Sequence, residues 1–235
     1  MLKLPTTEEL VRLLSWVPFL EVLSEDEKEW LVRRLSFMDL EAGETFAVSP
    51  EEHAERMLLV LSGQLQVYES DPSERELTLA VLEGGTSIGA TGLVVRASRE
   101  LCVRALEPSM LCYMGWEDLE RLARENPEVG LALARMLAGR LVWMEARWAE
   151  MATKEVAARL GSMLLSLLDS EGLVTPEGLR IPTRYTHKQI ASMIGANRET
   201  TTRAFGRLQE GGGVQLRNRY IYVTDVEALK RASCG

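Results

Sequence analysis

Apolar positions along the chain follow three successive rhythms. Residues 8–16 and 25–35 place them at helical spacing, the first run ending near Pro18 and the second preceded by Ser24 as an N-cap before the acidic turn Glu25-Asp26-Glu27. From Phe37 the rhythm shortens to strands at 57–61, 64–68, 77–82, 101–106 and 110–114. They are divided by Ser62-Gly63, Asp71-Pro72, Gly84-Gly85, Gly89 and Glu107-Pro108. Many short strands with glycine-marked turns predict a β-barrel or β-roll. Helix then returns: Asn126-Pro127-Glu128 reads as a cap, a first-turn proline and an acid that suits the helix dipole.

Beyond Pro127, Ala134, Leu137, Leu141, Met144, Trp148 and Met151 alternate at spacings of 3 and 4, an a/d seam. Leu133, Met136 and Val142 lie off it. Such a seam packs either on its own β-domain or on a copy of itself. The second reading is preferred, and it assigns dimerisation to Leu137, Leu141, Met144, Trp148 and Met151. Helical spacing persists over 152–168 through Val156, Leu160, Met163, Leu164, Leu167 and Leu168. The stretch 170–182, with Gly172, Pro176, Gly178 and Pro182, reads as a loop or small hairpin.

Thr186-His187-Lys188-Gln189 has the capping-box pattern, Thr at N-cap and Gln at N3, ahead of Ile190, Met193 and Ile194. Gly195 stops that helix, and Ala191 and Gly195 leave room for a second helix to cross closely. Asn197 caps the second helix, 198–210, which Gly211-Gly212-Gly213 closes. At about 100° per residue, Thr201, Ala204, Phe205 and Leu208 fall in one buried sector. Arg198, Glu199, Thr202, Arg203 and Gly206 face the other way. Arginine reads guanine O6 and N7 with two hydrogen bonds, and a carboxylate accepts from the cytosine amino group. Glu199 and Arg203, four apart, could equally form a surface ion pair. Val214-Gln215-Leu216 and Tyr220-Ile221-Tyr222-Val223 then flank a basic hairpin tip, Arg217-Asn218-Arg219, where asparagine tolerates the left-handed conformation.

Charge is unevenly distributed along the chain. The whole chain carries −8, yet residues 154–235 hold 12 Lys+Arg against 8 Asp+Glu, and 180–219 hold 8 against 2. A basic patch sits on an acidic body, the electrostatic footprint of a nucleic-acid binder. Three cysteines (Cys102, Cys112, Cys234) without a Cys-x-x-Cys pair, and two histidines, exclude a disulfide framework and a clustered metal site. No nucleophile–base pair, phosphate loop or metal spacing marks an enzyme. The absence of a long apolar run and of a signal-peptide core predicts a cytoplasmic chain with no membrane association.

Over Asn197-Arg198-Glu199-Thr200-Thr201-Thr202-Arg203 the chain resembles the R-E-T-x-x-R recognition helix of the CRP/FNR family, the catabolite-activator-like regulators. The order of β-roll, long helix and winged domain extends the resemblance over the whole chain. It implies an α+β fold: a cyclic-nucleotide-binding-like β-roll at 1–125, a dimerisation helix at 126–152 and a winged helix-turn-helix at 153–235. It implies a homodimeric transcription regulator on a palindromic TGTGA-like site in double-stranded DNA, contacting RNA polymerase if it is an activator. Arg198, Glu199 and Arg203 would read bases. Thr186, His187, Lys188, Asn197, Thr200, Arg217 and Arg219 would hold phosphates, with His187 equally readable as an exposed first-turn polar residue.

The sensory half departs from the family. Its phosphate cassette is similar to Gly89-Ala90-Thr91-Gly92-Leu93 followed by Arg99-Glu100-Leu101, but Ala90 replaces the ribose-binding carboxylate and Glu100 stands where a small hydroxyl residue belongs. Alanine accepts nothing from a ribose hydroxyl, and a carboxylate repels a phosphate. Arg99 is the one candidate effector-binding residue. Cyclic AMP is therefore not expected, no cofactor or metal is predicted, and another small-molecule effector stays open. Haem on His53 or Cys102 is disfavoured. The rival reading is a nucleotide-binding regulatory module of an enzyme or transporter with no specific DNA target, which the basic C-terminal unit argues against.

Overall fold

The computed structural model describes residues 5–49, 56–70, 76–89 and 101–234. The chain divides into two units, one comprising residues up to Glu69 with Ala80–Val142, the other Ser70–Leu79 with Trp143 onward.

In the first unit, α1 (Thr7–Leu14) and α3 (Glu25–Val32) each start on a reciprocal capping box, Thr6 with Glu9 and Ser24 with Glu27. Between them lies a short α2 (Pro18–Glu21). Two four-stranded antiparallel sheets follow. One has the order β1 (Ser36–Leu40), β8 (Ser109–Gly115), β3 (Arg56–Ser62), β6 (Ser87–Ile88). The other has β2 (Thr45–Val48), β7 (Leu101–Ala105), β4 (Gln64–Ser70), β5 (Glu76–Glu83). These are the roll.

Strand β3 shows why its sequence is apolar throughout rather than alternating. Leu58 and Val60 join Leu65, Val67, Val103 and Leu111 between the sheets, while Met57, Leu59 and Leu61 face a helical layer containing Leu14, Phe19 and Leu31. A strand buried on both faces has no polar side to display. Gly63, at φ +84, makes the β3–β4 turn; a Cβ there would lie 2.6 Å from the Pro108 carbonyl. α4 (Trp116–Glu125) and the first turns of α5 (Pro127–Thr153) complete the layer through Leu119, Leu122, Val129 and Leu133. Asn126 Oδ1 accepts from the Glu128 N–H, as the Asn-Pro-Glu signal predicts.

Helix α5 is 27 residues long. Helical spacing predicts continuation through 152–168, but the chain breaks there: α6 starts at Val156, after an extended Glu155. Thr153 donates its hydroxyl proton to the Ala149 carbonyl at 2.7 Å, a back-bond that competes with helix propagation, and Lys154 turns to bond Glu150 and Ser162.

In the second unit, α6 (Val156–Glu171) packs against α9 (Val226–Ser233), with Gly161 allowing the close approach of Leu229 and Ser233. The 170–182 stretch is a hairpin, β9 (Leu173–Thr175) and β10 (Gly178–Ile181). It joins β11 (Val214–Arg217) and β12 (Tyr220–Val223) in a sheet of order β11-β12-β10-β9. The helix-turn-helix, α7 (His187–Met193) and α8 (Arg198–Glu210), lies between β10 and β11 in sequence. The fold is α+β: a roll, a long helix and a winged helix-turn-helix.

Candidate nucleic-acid interface

The two helices begin where their caps place them. Thr186 Oγ1 accepts from the Gln189 N–H at 3.2 Å and Gln189 Oε1 accepts from the Thr186 N–H at 2.7 Å. Asn197 Oδ1 accepts from the Thr200 N–H at 2.8 Å and starts α8. Gly195, at φ +61, carries the turn; a Cβ there would meet Met151 Cε at 2.5 Å. The turn is tied to neighbouring helices by two arginines. Arg147 donates to the Met193 carbonyl, and Arg159 donates to the carbonyls of Met151 at 3.2 Å and Gly195 at 3.5 Å. Glu150 faces Arg147 and Lys154. Burial works against its ionisation, but hydrogen bonds from Lys154 and Ser162 and both cationic neighbours outweigh that and hold its carboxyl below the usual range.

α8 divides into two faces. Thr201, Ala204, Phe205 and Leu208 are buried, Thr201 completely, its hydroxyl returned to the Asn197 carbonyl at 2.9 Å. Arg198, Glu199, Thr202 and Arg203 are exposed and line one open cleft of about 420 Å³. Glu199 and Arg203 do not pair with each other. Arg203 Nη2 instead donates to Thr200 Oγ1 at 3.1 Å, and the Glu199 carboxylate has no ion-pair partner among the described residues. The surface ion-pair alternative is thus not the arrangement seen, and the donors and acceptor remain available.

The residues expected to hold phosphates surround this face in different states. His187 stacks on Phe205 with ring centroids 5.0 Å apart. Lys188 Nζ is 2.9 Å from Glu76 Oε1, so this cation is engaged by a carboxylate. Asn218 and Arg219 form the hairpin tip at φ +51 and +68, and Arg217 bonds Gln215 and stands over the Tyr222 ring. Arg99, Ala90, Glu100 and His53 lie outside the described residues.

The structure brings Arg203 together with cations that sequence reasoning passed over. Lys154, Arg159, Arg203 and Arg207 line a cleft of about 480 Å³ with Glu155, Val156 and Ala157. The N-cap of α6 there, Glu155, makes no side-chain bond to the first turn. Arg180 and Arg184 both stand over the Tyr220 ring, at 4.9 and 4.5 Å. The sequence signal was the tyrosine pair on β12 opposite arginine-bearing β10. On α5, Leu141, Met144, Trp148 and Met151 are exposed, whereas Leu137 packs partly against the core of the first unit. Among the described residues no His/Cys/Asp/Glu group could hold a metal, and no helix is long and apolar enough to cross a membrane.

Residues 158–232 match the family described as Crp-like helix-turn-helix domain, and 38–126 match Cyclic nucleotide-binding domain. The global nitrogen regulator of Synechocystis sp. is 30% identical over 77% of this chain and 82% of its own. The CRP-like cAMP-activated global transcriptional regulator of Mycobacterium tuberculosis is 24% identical over 86% of this chain and 89% of its own. Among solved structures, the c-di-GMP responsive global regulator CLP of Xanthomonas campestris is similar at a TM-score of 0.73 and 21% identity, covering 86% of this chain and 100% of that one.

Proposed function

Because the chain belongs to the CRP/FNR family of DNA-binding transcription regulators, we propose that it acts as a cytoplasmic homodimer that reads a palindromic TGTGA-like site without cyclic AMP. One observation carries the reading: two guanidinium groups and a carboxylate with no ion-pair partner among the described residues project from the exposed face of α8 while its opposite face is locked into the core. Such a helix enters the major groove by its N-terminal half, and bidentate arginine and carboxylate contacts discriminate bases by about 1–3 kcal/mol each.

Dimerisation is supported by the apolar strip on α5, where Trp148 is 69% and Leu141 57% exposed. An aqueous monomer has no use for such a strip, and a second copy covers it and sets two recognition helices on a two-fold site. Phosphate contacts are assigned to Thr186, His187, Lys188, Asn197, Thr200, Arg217 and Arg219, joined by Arg207. Independence from cyclic AMP is supported by the replacement of two ligand positions, Ala90 and Glu100.

The test is Arg198→Ala. Binding to the preferred duplex should weaken by about 1–3 kcal/mol with relaxed preference at one base pair per half-site. Equal losses on preferred and scrambled duplexes would refute base reading by Arg198.

A further inference from the structure

The side of α7 that carries Lys188 is covered by the start of β5. Glu76 and Thr78, two apart on a strand, point to one side and lie ~7 Å apart along it. Lys188 and Ser192, four apart on a helix, share one face and are separated by a rise of ~6 Å. The two spacings match, and the pairs meet in register. Glu76 Oε1 is 2.9 Å from Lys188 Nζ, and the Thr78 and Ser192 hydroxyls are hydrogen-bonded to each other. Ser192 donates its own proton to the Gln189 carbonyl at 3.1 Å, so toward Thr78 its oxygen accepts. The contact is closed to water: the Glu76 side chain is 8% exposed and Ser192 is buried. Residues 76–79 accordingly belong with the helix-turn-helix in the second unit, not with the remainder of β5.

The covered surface is one that a DNA complex needs. In a helix-turn-helix the first helix crosses the phosphate backbone while the second enters the major groove. Glu76 and Leu77 share an open cleft of about 970 Å³ with Lys188 and with Asn197, Arg198 and Glu199 at the start of α8. A duplex brings one negative charge per ~1.7 Å of its axis to such a surface. Lys188 has three N–H donors, but a carboxylate at 2.9 Å cancels its charge and repels an incoming phosphate. The strand start and the duplex therefore compete for the same lysine.

Resting on the DNA-binding role proposed above, we infer that residues 76–79 are an autoinhibitory cover on the helix-turn-helix. The Glu76 carboxylate takes the place of a phosphate on Lys188, and a duplex binds once the strand start has left α7. Apparent affinity is then the affinity of the uncovered protein reduced by the uncovered fraction. Loosening the cover raises affinity for preferred and scrambled duplexes alike, because it acts before any base is read.

The test uses the full chain with Glu76→Gln, with Glu83→Gln, and with Thr78→Cys and Ser192→Cys together. The last pair is made in a Cys234→Ser background, which removes the exposed thiol. Fluorescence anisotropy follows a rhodamine-labelled TGTGA-palindrome duplex and a scrambled duplex at constant ionic strength. Glutamine keeps the shape of the contact and gives up its charge, so Glu76→Gln should bind both duplexes roughly fivefold more tightly than the wild type. Glu83→Gln removes an equal charge outside the contact and should bind as the wild type does. Oxidation of the double-cysteine variant bridges the two elements; the bridged form should lose both duplexes, and reductant should restore them. Equal binding by bridged and reduced forms, or by Glu76→Gln and the wild type, overturns the inference and leaves specific binding standing. Equal tightening by Glu83→Gln assigns the effect to net charge and overturns it too. Should the bridge not form, the two glutamine variants decide; should Glu76→Gln prove unfolded by circular dichroism, the bridge decides. If the wild type, Glu76→Gln and the reduced variant all fail to prefer the palindrome, the DNA-binding reading fails and takes the inference with it.

Discussion

Truncating Trp148 to alanine should abolish the self-association proposed for α5 while leaving the chain folded. The side chain is 69% exposed on α5 and belongs to a strip with Leu141, Met144 and Met151. A tryptophan exposed to that degree offers about 170 Å² for burial, worth about 4 kcal/mol per copy at ~25 cal/mol per Å². Two copies set a ceiling of about 8 kcal/mol per dimer. An alanine methyl retains part of this, and a seam residue keeps one edge in water, so about half the ceiling, roughly 4 kcal/mol, is the expected loss. That corresponds to a roughly thousandfold rise in the dimer dissociation constant. Sedimentation velocity over a dilution series should show a micromolar wild-type dimer become monomer in Trp148→Ala, with unchanged far-ultraviolet circular dichroism. Identical sedimentation of wild type and variant at all concentrations would refute the assignment of this strip to self-association.

Other expectations follow from particular side chains. Lys188→Ala and Arg219→Ala should weaken binding on all sequences alike and each lower the salt slope by about one, measured by anisotropy across a salt series. Thr186→Ala removes one half of a capping box and should cost about 1 kcal/mol in urea unfolding monitored by circular dichroism. Burial pushes the Cys112 thiol up to about 12. The folded protein then keeps Cys112 protonated well above pH 9, where the unfolded chain ionises, and stability attributable to it falls as pH rises from about 9 to about 12. In Ellman's assay on native protein at about pH 8, exposed Cys234 should react quickly and Cys112 only after denaturant is added; equal rates would contradict its burial.

Where the sequence spoke through local chemistry, its reading holds to the residue. Thr186 with Gln189 and Asn197 before Arg198 are hydrogen-bonding devices that operate within four positions, so they mark the starts of α7 and α8 without knowledge of the fold. The two faces of α8 follow from its 3.6-residue period. Other elements leave less trace. α4 starts at Gly115 with no side-chain cap and buries Asp118, Leu119 and Leu122 on one side of a charged stretch. α9 follows a genuine cap, Asp225 accepting from the Ala228 N–H, but its apolar face is short and its packing partner, α6, lies more than fifty residues away. The break at residues 154 and 155 has neither glycine nor proline to announce it and depends on Lys154 reaching Ser162 across the turn. Likewise, the engagement of Lys188 by Glu76 joins residues 112 apart in the chain, and no periodicity encodes it.

The most direct measurement is selection of bound duplexes from a random pool by the purified protein without added ligand. Enrichment of a two-fold symmetric motif with TGTGA-like arms is the predicted result. A pool that remains random through successive rounds, at ionic strength low enough for retention, would contradict the claim that the exposed face of α8 reads sequence.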